Sequence, residues 1–300
     1  MHAADALDAW IARTGSIACV GLDPRPDLLP PALVERHRAA GAAGVAAAFL
    51  DANRRVIDAV ADRCAAVKPQ AACYEAYGSA GWEALEATVR HAADAGVPVI
   101  LDAKRGDIGS TAAHYGQMAF GGAPGLDGEV GAGMGADWLT VNGYLGADGV
   151  EPVLAAGGGV FVLVKTSNPG SGELQDLELA DGGTVADRMA ERVARWGADR
   201  RGTCGLSDVG AVVGATYPRH AAALRDRMPD TVFLVPGYGA QGASARDAVA
   251  GIRSDGRGVL VSSSRGITGA WRDAGTDDVG AAARTALDAM NADLETARHG

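Results

Sequence analysis

The sequence predicts a single-domain α/β fold, a (β/α)8 TIM barrel, and three observations carry that expectation. Eight short runs of apolar and β-branched residues recur along the chain, each followed by an alanine-rich stretch of helical periodicity. The length, 300 residues, is normal for such a barrel and ample for a large core. No shift in composition marks a linker. A doubly wound sheet is the rival architecture, and eight strand–helix units in succession favour closure over it.

A leading helical pattern, MHAADALDAWIARTG, is followed by strands expected at 16–23, 65–70, 97–104, 138–142, 160–167, 210–216, 231–236 and 258–264. Helical patterns fall near 35–62, 81–95, 111–119, 147–156, 183–199, 218–228 and 243–253, with a last one over 278–297. Two stretches break the rhythm. DPRPDLLPP, from Asp23, reads as a proline-rich loop, and the glycine-rich 121–135 reads as an insertion after the third strand. Its GAGMG segment opens no helix after a strand, so it reads as a flexible loop rather than a nucleotide loop.

With 48% hydrophobic and 21% charged residues, the composition is that of a soluble globular protein. A net charge of −10 argues against a nucleic-acid surface, which needs clustered cations. No apolar run is long enough for a membrane span. The acidic N-terminus does not resemble a signal peptide. Cys19, Cys64, Cys73 and Cys204 have no CxxC spacing and read as reduced thiols of a cytoplasmic protein. The histidines lack metal-ligand spacing, so no metal site is expected.

Of 27 basic residues only three are lysines: Lys68, Lys104 and Lys165. Arginine does not release its proton in proteins, whereas lysine can exchange one during catalysis. In a barrel the C-terminal strand ends face the active site. Asp23, Lys68, Asp102, Lys104 and Ser167 all fall at such ends. Asp102 and Lys104 are two apart, a spacing that puts both on one face of a strand. Asp107 follows in the loop, and Thr111 lies four residues on, on the same side if a helix begins there. A Lys–Asp–Lys–Asp alternation held away from water persists only when paired, and four such residues favour function over a mere barrel-end ion cluster. The seventh strand runs into PGYGAQG, with Gln241, and the eighth into SSSRG, with Ser264 and Arg265. Loops after strands seven and eight are the usual phosphate site of this fold, where glycines admit backbone N–H groups and an arginine supplies a fork.

These residues resemble the orotidine 5′-monophosphate decarboxylase family, in its longer bacterial branch (type 2). The signature is Asp102-Ala-Lys104-Arg-Gly-Asp107, a D-x-K-x-x-D motif that continues as IGSTAAHY. CVGLDPRP (19–26), VKPQAACYEAYG (67–78), KTSNPGS (165–171), PGYGAQG and SSSRGI support it, in the family's order over nearly the whole chain. Glycine stands in Val141-Asn-Gly-Tyr where the family pattern leads one to expect proline, which bears on the local loop shape. The resemblance implies a cofactor-free decarboxylation of orotidine 5′-monophosphate (OMP) to UMP and CO2 in pyrimidine synthesis. By it, Lys104 donates the proton to C6, Asp102 lies against the departing carboxylate, and Lys68 completes the charge network near the ribose. Asp107 reaches a neighbouring subunit's site in a homodimer, with Thr111 beside it. Asp23 binds ribose hydroxyls, Ser167 the pyrimidine, and Gln241 and Arg265 the phosphate. Lys165 reads as structural.

That chemistry suits these residues. Loss of CO2 from an sp2 ring carbon leaves a carbanion with no adjacent π acceptor, so a fixed ammonium is needed to stabilise it and then protonate it. Three readings stay open beside it: a Mg2+-dependent sugar-phosphate lyase of the same superfamily, a Schiff-base aldolase using Lys104 or Lys165, and a non-catalytic nucleotide-binding barrel.

Overall fold

In a computed structural model that describes residues 2–131, 133–239 and 242–299, the eight expected strands form one parallel barrel. They are β1 (Ala18–Leu22), β2 (Ala66–Pro69), β3 (Ile100–Arg105), β4 (Trp138–Val141), β5 (Gly159–Lys165), β6 (Ser207–Val213), β7 (Thr231–Pro236) and β8 (Val259–Ser263). Each pairs in parallel with its sequence neighbour, and β1 pairs with β8. The bridges Val67–Val99 and Gln70–Asp102 join β2 to β3 and close the ring.

The leading helix is α1 (Ala3–Thr14). The principal outer helices are α2 (Gly41–Val60), α3 (Gly78–Asp94), α4 (Gly109–Phe120), α5 (Ala147–Ala155), α6 (Val185–Gly197), α7 (Pro218–Arg227) and α8 (Val279–His299). The pattern at 243–253 yields only one helical turn, Ala245–Ala248, so β7 reaches β8 without a full helix. Among the described residues no helix is long and apolar enough to cross a membrane.

Alternation along the strands divides the barrel interior into two levels. Cys19, Ala66, Ile100, Trp138, Phe161 and Leu260 form an apolar lower level, capped by Ala3, Ala4 and Leu7 of α1. Two residues further along the strands, Lys68, Asp102, Thr140, Leu163 and Ser262 line an open cavity. The same parity that buries the floor therefore points the polar residues into the mouth.

The 121–135 insertion is more than its GAGMG segment, whose described residues 131 and 133–135 form no helix or strand, as expected of a loop. It holds a two-stranded antiparallel hairpin, Ala123–Gly125 with Gly128–Val130, and its return is tied to α4 by Met134 N–H donating to the Met118 carbonyl. Because α4 runs back from the mouth, the insertion lies at the opposite end of the barrel and takes no part in the cavity. The Asn142–Tyr144 turn closes with the Asn142 side chain accepting from Tyr144 N–H, and Gly143 packs where a Cβ would lie 2.7 Å from Val162. Glycine suits that turn.

Candidate active site

A cavity of about 680 Å³ opens at the C-terminal ends of the strands. Asp102 is its centre. One carboxylate oxygen lies 2.6 Å from Lys68 Nζ and accepts from Gln70 Nε2 at 3.1 Å. The other lies 2.6 Å from Lys104 Nζ and accepts from Thr140 Oγ1 at 2.9 Å. Lys68 and Asp102 are buried, so the pairing offsets the cost of taking both charges out of water. Burial favours neutral Asp102, but the two ammonium groups outweigh it and hold the carboxyl well below the usual carboxylate range. Burial also opposes the charge of Lys68, and Asp102 with Asp23 reverses that and holds the lysine above its ordinary value. Both stay ionised at neutral pH.

Lys104 differs from Lys68 in exposure: 45% of its side chain is open to the cavity, against 7%. Its backbone does not follow the strand. The β3–β4 register shifts between Leu101 and Arg105, and Lys104 is the one non-glycine residue with positive φ (47°) among the described residues. A left-handed conformation costs an ordinary residue about 1–2 kcal/mol. The bulge and the bond from Lys104 N–H to Thr140 Oγ1, at 2.9 Å, hold it there. The shared face expected of residues 102 and 104 is thus reached through a bulge, not through regular alternation.

Asp23 lies 3.9 Å from Lys68 Nζ, and its Oδ1 is buried with no hydrogen-bond partner among the described residues. It is an acceptor awaiting a donor. Ser167, two residues past β5, and Ser264 and Arg265, past β8, line the same cavity. Ser264 rests against β1: a Cβ on Gly21 would lie 1.9 Å from its Oγ. Among the described residues Arg265 makes no ion pair, so its guanidinium is free for a ligand. Gln241 lies outside the described residues. Asp107 and Thr111 follow β3 at the same end of the barrel and do not line the cavity.

Gln70, Thr140 and Gln175 were not anticipated. Thr140 had a usable signal, since it precedes the end of β4 with inward parity. Gln70 and Gln175 had none, because each depends on a loop path. Cys73 also lines the cavity, but burial pushes its thiol up to about 11, and that of Cys19 beneath to about 12, so neither supplies a thiolate at neutral pH. Among the described residues no three His, Cys, Asp or Glu side chains are grouped to hold a metal.

Fold and cavity together define the class: an α/β-barrel enzyme with its polar groups gathered at the C-terminal mouth. The model of the orotidine 5′-phosphate decarboxylase / HUMPS family matches residues 17–276. An orotidine 5′-phosphate decarboxylase of Rhodopirellula baltica is 46% identical over 271 residues, 89% of this chain and 88% of that one. One from Haloarcula marismortui is 45% identical over 283 residues, covering 93% and 92%. The solved structure of Leishmania donovani OMP decarboxylase superimposes with a TM-score of 0.77 at 35% identity, covering 100% of both chains. The chain belongs to the orotidine 5′-phosphate decarboxylase / HUMPS family.

Proposed function

We propose that this enzyme is a carboxy-lyase that converts OMP to UMP and CO2. The observation that carries the reading is the Lys68–Asp102–Lys104 network in a cavity that is also lined by Arg265, an arginine with no ion pair among the described residues. The C6–carboxylate bond breaks, CO2 leaves, and the electron pair stays on C6. The Lys104 ammonium, already charged and half open to the cavity, stabilises that pair and then transfers its proton to C6. Asp102, ionised between two lysines, faces the substrate carboxylate; their repulsion falls as CO2 departs. Lys68 keeps Asp102 charged and, with Asp23, faces the ribose. The orphaned Oδ1 of Asp23 is suited to accept from a ribose hydroxyl.

Phosphate is held by Arg265, Ser264 and the loop after β7, with Gln241. Gly21→Ala is expected to displace Ser264 and weaken UMP binding by about tenfold, the scale of one lost hydrogen bond to a charged group. Calorimetric titration measures it, and unchanged affinity in the folded variant would remove Ser264 from the phosphate site.

We assign Asp107 and Thr111 to the site of a second subunit. The rim around them carries exposed apolar side chains, Ile108, Tyr144 and Leu145, on adjoining loops, which suits burial against a second copy of the chain. Free thiols and the lack of a long apolar helix among the described residues suit a cytoplasmic enzyme.

Loss of OMP ultraviolet absorbance is the direct test. Orotidine, which lacks the phosphate, is expected to lose turnover by on the order of 10²-fold as well as affinity, because remote contacts realised in the transition state raise kcat. Equal turnover at saturation would deny the phosphate loops that role. No decay of OMP at all would end the decarboxylase reading.

A further inference from the structure

The third lysine lies outside the Asp102 network, and its surroundings are unlike those of an ordinary surface cation. The β5–β6 register shifts between Leu163 and Lys165. Leu163 lines the cavity, and regular alternation would point Lys165 into it as well. The shift turns Lys165 behind the strand, where it is 1% exposed. Its Nζ lies 2.7 Å from Asp176 Oδ1, 3.4 Å from Ser171 Oγ and 4.3 Å from the centre of the Tyr217 ring. Ser171 Oγ in turn donates to Tyr217 Oη at 3.1 Å. A buried ammonium is retained against its desolvation cost, and here a carboxylate, a hydroxyl and an aromatic face offset that cost.

These contacts close the base of one loop, residues 166–176. Directly inside the ion pair, Gln175 Oε1 accepts from Thr166 N–H at 2.9 Å, and Gln175 Nε2 donates to Thr166 Oγ1 at 2.8 Å. Thr166, Ser167, Asn168 and Gln175 line the cavity. The loop is also seated from below. Gly214 N–H donates to the Lys165 carbonyl at 2.7 Å, and a Cβ on Gly214 would lie 2.8 Å from Ser167 Cβ. The strand carrying Lys165, the residue across from it and the far end of the loop are therefore tied at one point. The side chains held by that tie face the cavity across from Arg265.

We infer that Lys165 is a positioning residue: through Asp176, Ser171 and Tyr217 it locks the 166–176 loop so that Ser167 and Gln175 read the pyrimidine ring. Lysine suits the place because a single compact ammonium meets three partners at once. The loop then discriminates bases by fixed hydrogen-bonding groups, and a loosened loop loses both affinity for the base and alignment of C6 over Lys104. This inference rests on the decarboxylase reading and deepens it.

The test compares wild type with Lys165→Met, Asp176→Asn and Asp176→Glu. Asp176 is 42% exposed, its asparagine variant keeps an acceptor oxygen for the buried ammonium and its glutamate variant keeps the charge, so melting temperature is recorded for each beside the binding measurements. Kd is measured for UMP and for ribose 5-phosphate, which shares everything but the base, and kcat for OMP is taken per folded protein. Asp176→Asn is expected to weaken UMP by about tenfold and lower kcat by about thirtyfold, on the scale of an ångström of misplacement. Ribose 5-phosphate should bind as before, and Asp176→Glu should regain most of the loss. If both ligands weaken equally, or if only thermal stability falls, Lys165 supports the fold and does not position the base. A wild type inert toward OMP would overturn the decarboxylase reading itself, a result separate from either of these.

Discussion

Lys104→Ala is expected to lower OMP turnover by about 10⁴-fold or more, while UMP binding stays within about tenfold of wild type. The size follows from two roles in one atom. In the proposed mechanism Nζ stabilises the electron pair left at C6 and then supplies the proton, and among the described residues neither other lysine is placed to replace it: Lys68 is buried and held by Asp102, and Lys165 is buried outside the cavity. The fold tolerates the change. Asp102 keeps Lys68, Gln70 and Thr140 as partners, so no uncompensated buried charge remains. Alanine at 104 carries a similar cost in the left-handed backbone, so the bulge has no new reason to collapse. Ultraviolet decay of OMP gives turnover, and calorimetry with UMP gives binding. Turnover within tenfold of wild type would transfer the proton donor to another group.

Most of the barrel was legible in the sequence because each strand is a short apolar run bounded by turn residues, and each principal helix repeats its apolar face. β7 was bounded to the residue, at Thr231–Pro236, since a charged turn precedes it and Pro236-Gly follows. The pattern at 243–253 misled because alanine and arginine favour a helix in isolation, whereas the helix capped by Ser244 runs for a single turn and ends at Ala248 with Val249 as its cap. The insertion was legible as a glycine-rich interruption with GAGMG as its loop, but its hairpin was not. Glycine-rich composition signals freedom, yet the hairpin is set by backbone pairing between Ala123 and Val130, which composition does not encode.

The site was legible as a set of residues and less so as a geometry. Ion pairing around Asp102 could be read from lysine scarcity together with strand-end position. The bulges in β3 and β5 could not, because a register shift is decided by the partner strand. Their consequences are opposite. In β3 the bulge presents Lys104 to the cavity despite an unfavourable φ, and in β5 it withdraws Lys165 from a cavity that its parity would have given it. Two lysines of the same nominal parity with respect to their strands thus come to different places, one open to the cavity and one buried at the base of the 166–176 loop.

Mixing Lys104→Ala protein with Asp107→Ala protein, each nearly inert alone, is expected to restore about a quarter of wild-type activity per site. The figure follows from a two-fold assembly in which each cavity takes Asp107 from the other subunit. Random exchange of equal amounts makes half of the dimers mixed. In each mixed dimer one cavity carries both lesions, while the other combines a native Lys104 with a native Asp107. Among the described residues the Asp107 carboxylate accepts only from the neighbouring Ile108 N–H, at 2.8 Å, and it does not line the cavity. Subunit exchange is verified by mass difference or by a tag on one variant, after brief mild denaturant to allow it. Activity at the sum of the two parents, with exchange confirmed, would place Asp107 in a role within its own subunit, and the exposed Ile108, Tyr144 and Leu145 would then need a different partner.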